Sequence, residues 1–589
     1  IGWTPCRTDY PAPLSARSCL RFPEYTSFLQ CNLKANPTPE HTNLLAYDWV
    51  NHPVYFYLNT TVDTISAKRI PRLETLLEKK GIISTLIPTY QTDKTSTILS
   101  VRIKYKTEST QNLSIVITSI GECENTNSAD TIQLRTAEDW EESAHMIKIK
   151  ETPLLNISIE AAGYKENSAR IWISDFEILI DGNEIPPPSE NRKGSIHLTK
   201  GDIIHWNKES HPSLPFWKHR ILGIGETVHG TKTMNDIAIA VLKERILKHE
   251  CNIILFEIPL EFSFYINRYV KNDANFNLED ISAYFDSYLY ADTILSFIRW
   301  IKEYNLTCDE KVSVWGFDIN FVQLKSRIDL FNYFYSLNAG KHIKELDTVC
   351  ELLLDTNIPF EKILLMFDEC PDLADALNED ELKLMLHCIK ITQQNSSSYY
   401  RFINRDNMMN EVTTFIIDNF GKKNKTITLY GHFGHLNYIN GQGPIVMNYY
   451  SLGHYMKNKY KDDYACVALI TNQGSAMLIK SYTEMEISTL SSAPQGSLEY
   501  QLNRFKEDSV YLSMNNLDCS NILKLRLIGN KELTEQFRYI APKARMDGVL
   551  FIKESQSISK GNKNQNKKIN YNFVIMKAFQ EALKKIKNK

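Results

Sequence analysis

Cysteine is scarce and unpatterned in this chain of 589 residues: there are eleven, an odd number, with no Cys-x-x-Cys pair. That excludes a disulfide framework and argues against a zinc ribbon or a thioredoxin-type site. No apolar run approaches the roughly 20 residues that a membrane helix needs, so no transmembrane segment is expected. Charge of one sign is not in excess either: the net charge of −3 gives no reason to expect nucleic acid or an anionic membrane as a partner. A Gly-x-Ser-x-Gly elbow is missing, which argues against a serine α/β-hydrolase. Internal repeats are missing too. What is present is 43% hydrophobic and 23% charged residues, the balance of a globular protein. The length exceeds what one ordinary core fills, so at least two domains are expected.

Residues 1 to about 42 carry Pro5, Pro11, Pro13, Pro23, Pro37 and Pro39 with little periodicity, and read as an extended arm. Cys6, Cys19 and Cys31 lie there, where a disulfide stays open as a reading. Cys251, Cys350, Cys388 and Cys466 sit in apolar runs and read as small buried hydrophobes. Residues 43–190 turn β-rich. Thr97 to Tyr105 alternates apolar and polar residues, as a half-buried strand does. Leu113 to Ile120, Leu154 to Ile159 and Arg170 to Ile180 behave alike, Asp181-Gly182 marks a turn, and Pro186-Pro187-Pro188 is a stiff break. This pattern predicts an all-β sandwich of jelly-roll type.

Over 195–555 strand and helix signals alternate. The expected class is α/β, with a mainly parallel sheet and helices on both faces. Residues 322–420 have helical periodicity in almost every window and read as an insertion covering the active-site face. A later strand, Tyr464 to Ile470, is expected to end at Asn472-Gln473-Gly474, and Gly548 to Ile552 to be the last. Residues 556–589 read as a polar linker and a C-terminal amphipathic helix. The chain opens on Ile1 without a basic segment leading into an apolar one. With the added sandwich, that points to a processed product exported from a bacterial cell, periplasmic or surface-borne.

Four apolar runs each lead into polar residues. Arg220 to Gly225 precedes Glu226 and His229, Asn252 to Phe256 precedes Glu257, Lys311 to Gly316 precedes Asp318, and Ile427 to Gly431 precedes His432 and His435. In a parallel sheet such groups collect outside the carboxyl ends of the strands, so one polar pocket is expected. Each motif also has a plainer reading. His229 could cap the following helix, and Asp318 could do the same. His432 and His435 could be a metal half-site, donors to a developing oxyanion and a leaving group, or loop histidines satisfied by carbonyls. Glu257, after four apolar residues, needs a partner such as His229. Arg405, followed by Asp406, could clamp a substrate carboxylate, stabilise the pocket, or form a surface ion pair. The sequons at Asn59, Asn112, Asn156 and Asn305 fit chance in an Asn-rich chain.

In order along the chain, these blocks resemble the erythromycin esterase family over residues of about 220–555. Gly223, Gly225, Glu226, His229 and Gly230 match its Gly-x-Gly-Glu-x-x-His-Gly signature, Glu257 its second-strand glutamate, and His432 and His435 its His-x-x-His. Asn267-Arg268-Tyr269-Val270, Gly316-Phe317-Asp318, Arg405-Asp406, Gln473-Gly474-Ser475, Gly496-Ser497-Leu498-Glu499 and Met546-Asp547-Gly548-Val549 also fit. The resemblance implies a hydrolase that opens a carboxylic ester or lactone with histidine-activated water. His229 would be the general base, oriented with its water by Glu226 and Glu257. His432 and His435 would polarise the carbonyl or protonate the alkoxide. Arg405 and Asp318 would contact substrate, and no cofactor is required. Thr233, Ala238 and Phe433 depart from the family pattern, which implies a substrate other than a macrolide, or reduced activity. The sandwich lies outside the resemblance and is expected to contact a glycan or peptide. Two other classes compete. One is a metal-dependent hydrolase or transferase with His229, Glu257, His432 and His435 holding a divalent ion. The other is a catalytically degenerate glycan- or peptide-binding protein.

Overall fold

The computed structural model describes residues 50–51, 58–66, 68–75, 80–88, 96–120, 128–150, 154–164, 167–184, 196–206, 212–285, 292–320, 322–394, 405–438, 451–481, 484–517, 523–529, 536–540, 542–558 and 571–587. The expected N-terminal arm, with Cys6, Cys19 and Cys31, lies outside them. Cys251, Cys350, Cys388 and Cys466 are buried thiols, as their apolar settings predict. No helix among the described residues is long and apolar enough to cross a membrane.

The N-terminal region forms two antiparallel sheets. One runs, in spatial order, Val50–Asn51, Lys80–Pro88, Leu154–Gly163, Thr110–Ile120 and Ser128–Leu134. The other runs Leu58–Ile65, Lys68–Thr75, Arg170–Ile180, Ser96–Glu108 and Glu141–Lys150, with Asn183–Glu184 folded back on Arg170–Ile180. Inward residues of both, among them Val101, Ile103, Ile115, Ile157, Ile171 and Phe176, share one core, which makes the pair a sandwich. The Asp181-Gly182 turn adopts positive φ at both residues (50° and 77°), the twist that a tight hairpin needs.

A second, larger core surrounds a nine-stranded sheet. Its strands in chain order are β1 (Ile203–His205), β2 (Ile221–Glu226), β3 (Cys251–Pro259), β4 (Ser313–Asp318), β5 (Thr426–His432), β6 (Tyr464–Ser481), β7 (Glu484–Leu490), β8 (Ser509–Ser513) and β9 (Gly548–Ser555). The spatial order is β1-β8-β9-β6-β2-β5-β3-β4, with β7 paired to β6. The six strands from β9 to β4 run parallel, β8 and β7 run against them, and β1 pairs antiparallel with β8. Every residue of β2 is buried, and all but the first of β5, the mark of strands covered on both faces.

Between β4 and β5 lie the helices Gln323–Leu337, Lys344–Leu354, Phe360–Glu369, Pro371–Asp375, Glu379–Gln394 and Arg405–Phe420. After this excursion β5 does not extend the sheet but enters it between β2 and β3. That return puts the ends of β2, β5 and β3 side by side. The C-terminal helix Tyr571–Lys587 buries Ala582 in the same core, and Lys585 bonds Asn332 on Gln323–Leu337 at 3.2 Å.

One expectation fails at β6. The strand does not end at Asn472-Gln473-Gly474 but runs on to Ser481. Gly474 takes φ +130°, and a Cβ there would lie 2.0 Å from the Ser555 carbonyl of β9. The glycine therefore permits a close approach inside a strand, and the residues after it pair with β7.

Candidate active site

Register brings the polar residues together. Glu226, last in β2, pairs directly with His432, last in β5. On the other side of β5, the β3–β4 register shifts between Phe256 and Pro259, and Glu257 lies in that irregular stretch. Its Oε2 accepts the His432 backbone N–H at 2.6 Å. Gly431 makes room for it: a Cβ there would sit 2.8 Å from Glu257 Cβ and 2.9 Å from its Oε2. Gly230 closes the turn after β2 with φ +73°, and a Cβ would meet the Met477 carbonyl at 2.1 Å, so a side chain there would displace the His229 turn.

His229 Nδ1 lies 2.6 Å from Glu226 Oε1, and since a carboxylate only accepts, the imidazole proton sits on Nδ1. Glu226 Oε2 accepts from the Tyr430 hydroxyl at 2.7 Å, and Asn235 Oδ1 lies 2.5 Å from the same hydroxyl. Burial pushes the His229 pKa down, but the hydrogen bond and charge of Glu226, helped by Glu257, outweigh it, and the net shift is up.

The His432 ring stands 4.8 Å from His229, centroid to centroid. Its Nδ1 accepts the Gly434 N–H at 3.1 Å, so its own proton is on Nε2. Burial and the neighbouring His229 hold its pKa well below the usual value, and it stays neutral. His432 is 0% exposed, whereas the side chains of His229, His435 and Arg405 are 12%, 10% and 22% exposed. Of the three rings, His229 and His435 therefore reach solvent and His432 does not.

Arg405 is the hub of the second half. Its guanidinium donates twice to Asp318, through Nε at 3.1 Å and Nη2 at 2.6 Å, and to Glu257 Oε1 at 2.8 Å. Nη1 lies 3.1 Å from His435 Nε2. Asp406 turns away from Arg405: its Oδ1 accepts from His435 Nδ1 and from the Leu452 N–H, both at 2.9 Å. The surface-ion-pair reading of Arg405 thus gives way to a largely buried cluster. Asp318 does not cap the helix that follows, whose N-cap is Val322; it holds Arg405. Burial raises the Glu257 pKa, but His435, Arg405 and His229 outweigh it and keep the carboxylate ionised far below its usual range. For His435, burial acts downwards and Arg405 adds to it, but Asp406 and Glu257 prevail and the pKa is raised. Asp406→Asn is therefore expected to lower the His435 pKa, read by histidine NMR titration; an unchanged titration would show that the contact carries no charge coupling.

The metal reading fares worse. Among the described residues no group of three or more His, Cys, Asp or Glu is placed to hold an ion. Both Glu257 oxygens are taken by protein donors, and the Arg405 cation stands among the carboxylates that would attract a metal.

The family departures have structural uses here. Thr233 Oγ1 accepts the Gln556 N–H at 2.9 Å, Ala238 is fully buried, and Phe433 packs where a Cβ on Gly225 would lie 2.7 Å from its Cα. Asn305 is buried with its amide donating to Val270 and Val312 carbonyls, so that sequon serves packing. Sequence reasoning misses Tyr430, Asn235 and the role of Asp406. Tyr430 stands two residues before His432, the spacing that puts both on one face of a strand, and that spacing is the signal that could find it.

None of the curated proteins searched matches the chain. Solved structures resemble it distantly. A Bacillus cereus protein is 15% identical, with a TM-score of 0.46, over 62% of this chain and 97% of that one. An erythromycin esterase variant in its open conformation is 15% identical, with a TM-score of 0.40, over 59% and 93%. A family 16 carbohydrate binding module is 11% identical, with a TM-score of 0.17, over 22% and 90%. The erythromycin esterase family model matches residues 375–555, the stretch that supplies Arg405, Asp406, His432 and His435.

Proposed function

We propose that this protein is a hydrolase that cleaves a carboxylic ester or lactone with water activated by His229. The observation that carries the reading is the pairing of two carboxylate-bound histidines, Glu226–His229 and Asp406–His435, about one cationic hub, Arg405. With its proton on Nδ1, neutral His229 presents Nε2 as the basic nitrogen. Water adds through oxygen to the carbonyl carbon while His229 takes one of its protons. The negative charge that develops on the carbonyl oxygen is met by the Arg405 guanidinium. Collapse breaks the acyl C–O bond, and a proton passes from a histidinium to the departing alkoxide. Glu257 and Asp318 hold Arg405, and His432 ties the end of β5 beside the His229 turn.

The reading needs no covalent acyl-enzyme, and that makes it testable on a panel of p-nitrophenyl esters and simple lactones. Pre-steady-state traces are expected to show no burst, and one turnover in ¹⁸O-water to place the label in the product acid. A trapped acyl adduct on the protein would sink the direct-water mechanism. No turnover on any member of the panel would count against the hydrolase reading itself.

A further inference from the structure

The Gly496-Ser497-Leu498-Glu499 block has no part in the chemistry above, yet it contains a buried carboxyl. Glu499 is 0% exposed and sits in the first turn of the short helix Leu498–Leu502. Its Oε1 accepts the backbone N–H of Arg526 at 2.7 Å, while Oε2 is buried without a hydrogen-bond partner among the described residues. Arg526 begins a short strip that ends against the catalytic turn. The Ile528 N–H donates to the Thr227 carbonyl at 3.3 Å, and the His229 N–H donates to the Gly529 carbonyl at 2.9 Å. Val228 and Gly529 form a parallel bridge at the same place. The Arg526 guanidinium anchors the strip from its other side. It donates to the Asn472 carbonyl at 2.9 Å and to the Ser491 carbonyl, and lies 4.5 Å over the Phe537 ring.

We propose that Glu499 is a positioning residue for His229: by holding the Arg526 backbone it fixes the Arg526–Gly529 strip, and the strip fixes the turn that carries the base. The argument rests on His229 being the base, as proposed above. A buried carboxyl in this setting behaves much like an amide. Burial raises its pKa to about 7, against the bonds from the Arg526 N–H and its own N–H and the Arg526 charge, so near neutrality a large share is uncharged. An uncharged isostere with the same acceptor should therefore do the same work, and a shorter or apolar side chain should not.

The test compares the full chain with Glu499→Gln, Glu499→Asp and Glu499→Leu. One readout is steady-state hydrolysis of p-nitrophenyl butyrate. The other, independent of turnover, is the NMR titration of His229 in protein labelled at histidine Cε1, its signal identified by loss in His229→Ala. Glu499→Gln is expected to keep kcat and the His229 titration within about twofold and a few tenths of a pH unit. The Asp and Leu variants are expected to lower kcat about 10- to 100-fold, the scale of a misplaced catalytic group, with KM nearly unchanged. Their His229 pKa should fall as its pairing with Glu226 loosens. A purely structural carboxyl would lower thermal stability and leave both kcat and the titration where they were, which overturns the proposal. If Glu499→Leu does not fold, Glu499→Asp decides alone. If wild type leaves p-nitrophenyl butyrate intact, that counts against the hydrolase reading, and the titration still settles the positioning role.

Discussion

Alanine at His229 is expected to lower kcat about 10²- to 10⁴-fold on any ester the wild type turns over, the usual contribution of a positioned general base. KM should change little, because the ring meets the attacking water rather than the body of the substrate. Folding should survive. The His229 side chain is only 12% exposed, but Glu226 keeps the Tyr430 hydroxyl, and the cost is that of one lost hydrogen bond to a buried acceptor, about 1–3 kcal/mol. The wild-type pH profile supplies the second half of the expectation. A base works after losing its proton, and Glu226 and Glu257 hold that proton on beyond the ordinary histidine value of 6.5. The acid limb of kcat should therefore lie above pH 6.5 and move down in Glu226→Gln. Initial rates between pH 5 and 9, with circular dichroism melts as the control, check both statements. Turnover retained by a folded His229→Ala protein would remove the histidine from the mechanism.

Much of this pocket is legible in the amino-acid sequence, for a reason that belongs to parallel sheets. Their central strands are buried on both faces, so they read as apolar runs. A polar residue where such a run stops stands out, as Glu226, Glu257, Asp318 and His432 do. The sandwich is legible through period-two alternation, as in Arg170–Ile180, whose bounds the structure reproduces. What stays hidden depends on neighbours distant in the chain. No local pattern says that β5 enters between β2 and β3, and without that placement Tyr430 is one more aromatic residue in a core strand. Asp406 looks like the natural partner of Arg405 beside it, but the helix that begins there sends the two side chains to His435 and to Asp318 with Glu257. Gly474 reads as a strand end because turns are glycine's commonest use; here it admits the neighbouring strand. Glu499 gives no signal beyond its motif, since its effect on His229 passes through backbone atoms of a separate strip.

Methionine at Arg405 should have the largest effect on stability of any single change at the site. It removes the cation that bonds Glu257 and Asp318, whose side chains are 6% and 7% exposed, and leaves both carboxylates buried without it. Breaking a buried ion pair from one side costs about 3–5 kcal/mol, because the abandoned charge has no water to turn to. Equilibrium urea unfolding followed by tryptophan fluorescence, a signal summed over all eight tryptophans that includes Trp315, buried in β4, would report the loss. Its pH dependence has a definite sign. In wild type the Glu257 pKa is depressed below its ordinary 4.5, so its contribution to stability is present above pH 4.5 and is lost as the pH falls towards the folded value. Without Arg405 the burial of Glu257 is less well opposed and its folded pKa rises. Acid then relieves the variant by protonating Glu257 while it weakens the wild type. The gap between the two proteins should narrow as the pH falls below 4.5; a gap that is constant down to about pH 3 would mean that Arg405 acts through packing alone. A triple variant, Arg405→Met with Glu257→Gln and Asp318→Asn, separates charge from catalysis. With the stranded carboxylates neutralised it should regain most of the lost stability. It should still turn over poorly, because the donor at Arg405 that meets the developing oxyanion is gone.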